Sequence, residues 1–98
     1  MSSEIQPAVV LCLSGHDPSG GAGIQADIEA IAAQGCHAAT VITCLTLQDT
    51  RNVRELAPVA TELFKRQVRL IGQDYTIAAI KIGLLGSPAM ARSVMEVL

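Results

Sequence analysis

The chain has 98 residues, half of them apolar, and a formal net charge of −2. That length holds at most one small domain, and the weak charge without basic clusters argues against nucleic acid as a main partner. No apolar run approaches the roughly 20 residues that span a bilayer, and Met1-Ser2-Ser3-Glu4 lacks the basic start of a secretory signal.

In chain order, residues 8–14 form an apolar run between Pro7 and Gly15 and read as a strand buried on both faces. Residues 24–34 read as a helix, with Ile24, Ile28 and Ile31 on one face and Gly35 as the residue that ends it. Residues 37–47, rich in Thr, Val and Ile, predict a second strand, and the polar stretch 48–52 an ordered loop. A second helix is expected over 59–71, starting near Pro58, with Val59, Leu63, Phe64, Val68 and Ile71 as its inner stripe. Residues 77–82 predict a third strand ended by Gly83. Ser87 and Pro88 then supply the cap and first position of a third helix. The order β-α-β-α-β-α predicts a parallel sheet of about three strands, flanked by helices through right-handed crossovers. The helical pattern is still running at Met95-Glu96-Val97-Leu98 without a cap, which reads as the front part of a longer protein. Three cysteines without Cys-x-x-Cys spacing read as reduced thiols in a cytoplasmic protein.

The stretch Ser14-Gly15-His16-Asp17-Pro18-Ser19-Gly20-Gly21-Ala22-Gly23-Ile24-Gln25-Ala26-Asp27 joins the first strand to the first helix. Three glycines within four residues let the backbone approach a ligand without a Cβ in the way. The following helix offers free N–H groups and a positive dipole end. The stretch is neither a Walker A loop nor a clean G-x-G-x-x-G fingerprint, so a tight structural turn is the competing reading. Asp17 and Ser19 could fix such a turn through side-chain bonds to the backbone.

Asp27 lies on the inner stripe of the first helix, where a bare carboxylate is costly and needs a partner. Helix-end stabilisation and a substrate hydroxyl are both open to it. Gln48 stands where the second strand gives way to its loop, on the side where parallel sheets bind ligands. Its amide donates and accepts at once, which suits the edge of a heterocycle, though a solvated loop glutamine is the bland alternative. Lys81 lies inside an apolar strand, so it calls for Asp27, Asp49 or a ligand phosphate, or else guards an edge strand. His16 and His37 lack metal-ligand company, and no metal site is expected.

These strings, with Val41-Ile42-Thr43, Gln48-Asp49-Thr50 and Lys81-Ile82-Gly83-Leu84-Leu85, closely resemble the hydroxymethylpyrimidine/phosphomethylpyrimidine kinases of thiamine biosynthesis. Pyridoxal kinases of the same ribokinase-like superfamily are the nearest group to confuse with them. The resemblance runs from about Ala8 to the last residue and implies a three-layer α/β/α fold with a mainly parallel sheet. It implies transfer of a phosphoryl group from ATP with Mg2+ to 4-amino-5-hydroxymethyl-2-methylpyrimidine and then to its monophosphate. By motif position it implies that Gln48 bonds the aminopyrimidine edge and Asp27 meets the hydroxymethyl group. Gly15 and Ala22 would line the pocket, the backbone near Thr46 would receive the exocyclic amine, and Leu84 would cover the ring. His16 and Asp49 depart from the residues more usual in the family. In these relatives the glycine-rich anion hole, its catalytic residue and most of the ATP site lie in the second half of the chain. The 98 residues would therefore form the acceptor side of a single kinase domain, hold no catalytic residue, and lack kinase activity alone. A homodimer is the oligomeric form that the resemblance suggests.

Overall fold

The computed structural model describes residues 6–98. Along the chain it contains β1 (Val9–His16), α1 (Gly23–Ala33), β2 (His37–Gln48), β3 (Val53–Pro58), α2 (Thr61–Asp74), β4 (Ile77–Ile82) and α3 (Pro88–Val97). The four strands form one sheet in the order β3-β2-β1-β4. β1 is parallel to both β2 and β4, whereas β3 runs antiparallel to β2.

Alternation along β1 sorts the two faces, since successive side chains of a strand point to opposite sides. Leu11 and Leu13 join Ala39, Val41, Phe64, Val68, Met90 and Val94 in one buried apolar cluster, so α2 and α3 cover that face. Ser14 reaches Asp27 on α1, so α1 covers the other face. The result is the three-layer α/β/α arrangement that the family resemblance implies.

The end signals act as their chemistry dictates. Gly35 closes α1 at a φ of 77°, a conformation open to glycine at little cost. Ser87 accepts a hydrogen bond from the Met90 N–H at 3.1 Å, with Pro88 at the first helical position.

Three expectations need correction. The sheet has four strands, not three, and the added strand β3 is antiparallel. The polar loop is ordered, as expected, and forms the turn of the β2–β3 hairpin, where an Asp49 carboxylate oxygen accepts from the N–H groups of Arg51 and Asn52 at 2.8 and 2.9 Å. α2 starts at Thr61 and not near Pro58, because the Val59 N–H still donates to the Thr43 carbonyl and keeps that segment extended. Ile28 and Leu63 stand 42% and 59% exposed, not on inner stripes. α1 instead turns Ile24 and Asp27 to the sheet, while α2 turns Phe64 and Val68.

Candidate functional site

At the carboxyl ends of β1 and β2 the chain leaves a cavity of about 260 Å³. The β1–α1 loop forms one wall through Gly15, His16, Asp17, Ala22 and Gly23. The opposite wall comes from Thr46, Gln48 and Val53 of the β2–β3 hairpin, and from Lys81, Gly83 and Leu84 at the end of β4.

The loop holds its shape through Asp17. One of its carboxylate oxygens accepts from the Ser19 N–H at 2.8 Å and the Ser19 hydroxyl at 2.7 Å. The Ser19 hydroxyl is the main reason that the Asp17 carboxyl is held below the usual range. Burial opposes this, and backbone N–H groups of Ser19, Ala22 and Gly21 add to it. Gly23 sits at a φ of 64°, and a Cβ there would run into the Gly15 carbonyl oxygen, so only glycine fits the bridge between His16 and Gly23. Thr46 ties the hairpin to this loop by donating its hydroxyl to the His16 carbonyl at 2.7 Å.

Beneath the cavity lies a buried polar cluster. The Asp27 carboxylate accepts from the Ser14 hydroxyl at 2.8 Å through one oxygen and from the Lys81 ammonium at 2.7 Å through the other. Asp27 is 8% exposed, while the Lys81 side chain is 46% exposed. The register Cys12↔Lys81 puts the lysine on the α1 side of the sheet, which decides its partner between Asp27 and Asp49. β4 is an edge strand of the sheet that the described residues form. Cys12 lies next to this pair, and its thiol is pushed up mainly by burial. The Asp27 charge adds to that shift and the Lys81 charge opposes it.

Of the residues singled out from the sequence, Gly15, Ala22, Thr46, Gln48 and Leu84 line the one cavity. Asp27 does not line it. Both its oxygens are turned to Ser14 and Lys81, and the lysine stands between it and the open space. Val53 went unforeseen because its strand did, although Asp49, a residue suited to turns, was the available signal for a hairpin. Gly83 lines the cavity for a steric reason that no motif announces. His37 lies at the other end of the sheet, its ring 5.6 Å from that of Tyr75. Among the described residues no group of three His, Cys, Asp or Glu side chains could hold a metal ion. No helix among the described residues is long and apolar enough to cross a membrane.

Residues 17–98 match the phosphomethylpyrimidine kinase family. A hydroxymethylpyrimidine/phosphomethylpyrimidine kinase of Streptomyces coelicolor is 36% identical over 94 residues, which is 96% of this chain and 35% of the relative. Among solved structures, phosphomethylpyrimidine kinase from Clostridium difficile superimposes with a TM-score of 0.87 at 35% identity, covering 93% of this chain and 39% of that one. The pyridoxal kinase from Staphylococcus aureus in complex with pyridoxal gives 0.81 at 26% identity, over 93% of this chain and 34% of that one. The chain thus spans about a third of the length of the curated kinases it matches in Streptomyces coelicolor, Rhizobium meliloti and Aquifex aeolicus.

Proposed function

Because the chain belongs to the phosphomethylpyrimidine kinase family and has its ribokinase-like α/β/α fold, we propose that it forms the acceptor side of a thiamine-pathway pyrimidine kinase. The substrate is 4-amino-5-hydroxymethyl-2-methylpyrimidine, and then its monophosphate. The phosphoryl donor is ATP as its magnesium complex, and the reaction belongs in the cytoplasm. The magnesium enters this reading only as part of the nucleotide substrate.

One observation carries the reading. A primary amide, Gln48, shares a small cavity with Gly15, Ala22, Thr46 and Leu84, at the strand ends where open α/β sheets bind ligands. The amide matches the paired donor and acceptor of an aminopyrimidine edge. Thr46 stands where the exocyclic amine would reach the backbone, Leu84 covers the ring, and the two small residues leave room for it. The alcohol-bearing carbon is assigned to the Asp27 end. Phosphoryl transfer needs charge neutralised around the γ-phosphate, and the residues of this cavity serve the acceptor instead.

A pyridoxal-type kinase is the second reading, supported by the likeness to the S. aureus enzyme. Calorimetric titration of the chain with the aminopyrimidine alcohol and with pyridoxal separates the two. The expected outcome is binding of the pyrimidine, lost in Gln48→Ala, with pyridoxal at least tenfold weaker. Equal or tighter binding of pyridoxal overturns the pyrimidine reading. ADP release by the 98 residues alone is expected at background.

A further inference from the structure

Resting on that reading, we infer that Lys81 is the side chain that meets the alcohol oxygen of the bound pyrimidine, and that Asp27 is a positioning residue acting through it. The assignment starts from the carboxylate. Asp27 is buried, both of its oxygens are engaged, and it is absent from the cavity wall. Because the carboxylate is buried and the ammonium is on the wall, a ligand in the cavity meets Lys81 before Asp27.

The ammonium has the opposite situation. It carries three N–H donors, and among the described residues Asp27 is its one hydrogen-bond partner, at 2.7 Å. Lys81 lines the cavity with Gln48 and Leu84. A second, independent observation concerns Gly83. A Cβ at that position would lie 3.2 Å from the Lys81 Nζ and 2.5 Å from the Ser14 Oγ. Its φ is not in the left-handed region, so backbone conformation does not call for glycine there. What calls for it is the close packing of the β4 end against the Ser14 hydroxyl and the ammonium, at the edge of the cavity that Gly83 lines.

Charge matching fixes the kind of atom that belongs there. Asp27 already balances the ammonium, so a neutral alcohol oxygen is accepted through its lone pair, and an oxygen of the monophosphate meets the same free donors. Lysine is only a donor, so it takes up the oxygen lone pair and leaves the alcohol O–H free. That is the proton a phosphoryl acceptor must lose. A lysine held by a buried carboxylate on a strand also has few rotamers left, so it presents its donors in a fixed direction.

The test compares two ligands of the 98-residue chain: the aminopyrimidine alcohol, and the same ring with a methyl in place of the hydroxymethyl. The wild-type chain is expected to prefer the alcohol by about tenfold, the scale of one hydrogen bond to a charged group. Lys81→Met should abolish that preference while leaving the affinity for the methyl compound in place. Asp27→Asn should reduce the preference severalfold, again without touching the methyl compound.

The sequence contains two lysines, Lys65 and Lys81. Lys65 is occupied by Glu62 and Glu96 on α2 and α3. In 15N-lysine-labelled wild-type chain the Lys81 ammonium resonance should therefore shift with the alcohol and stay with the methyl compound, while Lys65 does not respond. This measurement decides the matter even where a variant does not fold. A Lys81 resonance indifferent to the alcohol, or a tenfold preference that survives in Lys81→Met, overturns the assignment and leaves the pyrimidine reading intact. Failure of the wild-type chain to bind either compound overturns both.

Discussion

On one face of β1, Leu11 and Leu13 join an apolar cluster with, among others, Phe64 of α2 and Met90 of α3. On the other face, Cys12 and Ser14 meet a carboxylate and an ammonium. Residues one step apart on the same strand thus serve different ends. The α2/α3 face gains its stability from area removed from water, which is non-directional and tolerant of detail. The α1 face gains little from area. It depends on three polar groups satisfying one another, so the loss of any one leaves another short of a partner. The first face holds the fold together, and the second carries the proposed chemistry.

The contrast can be broken at several points. The largest effect is expected from Phe64→Ala, which removes a fully buried ring from the apolar face and should cost about 3–5 kcal/mol in urea unfolding. The folded fraction should keep its ratio of affinities for the two pyrimidines, because no part of the polar cluster is touched. Ser14→Ala should cost less, about 1–3 kcal/mol, by leaving a buried Asp27 oxygen without its donor. Here the affinity ratio should change along with stability. Equal insensitivity of the ratio in both variants would erase the distinction between the faces.

The smallest effect concerns pH. Burial first, and the Asp27 charge second, raise the Cys12 thiol above its ordinary value, while Lys81 works against them. The folded chain therefore holds the thiol proton more tightly than the unfolded chain does. The resulting contribution is fully present below the ordinary thiol range of about pH 8.5–9 and is lost as pH rises through it. Unfolding midpoints measured from pH 7 to pH 10 should fall, and Cys12→Ala should flatten that slope.

Much of this was legible in residues whose chemistry is local. Gly35, Ser87 and Pro88 mark helix ends by conformational preference alone, and the structure places them there. Gln48 stood out because an apolar run stops beside it, and it is the last residue of β2. The burial of Asp27 followed from helical spacing. Its partner did not, since the choice between Asp27 and Asp49 for Lys81 depended on a strand register that no local pattern encodes. β3 left no trace for a different reason. All six of its residues are exposed, so selection for burial wrote no alternation of apolar and polar positions into it. Gly83 was read as a strand stop, and its steric role needed three-dimensional neighbours to be seen.

β1 sits between β2 and β4, with Val9 paired to His37 on one side and to Ile77 on the other. The first of these seams joins consecutive strands, but the second encloses about three quarters of the described chain. Distant pairings of this kind close slowly, because a long loop must be ordered before any contact forms. A nascent chain leaving the ribosome can zip β1 to β2 early, and must then wait for β4 before Lys81 reaches Asp27. The polar cluster is accordingly among the last features to assemble, and pulse-labelled hydrogen exchange should find the amides of the β1–β4 seam protected after those of β1–β2.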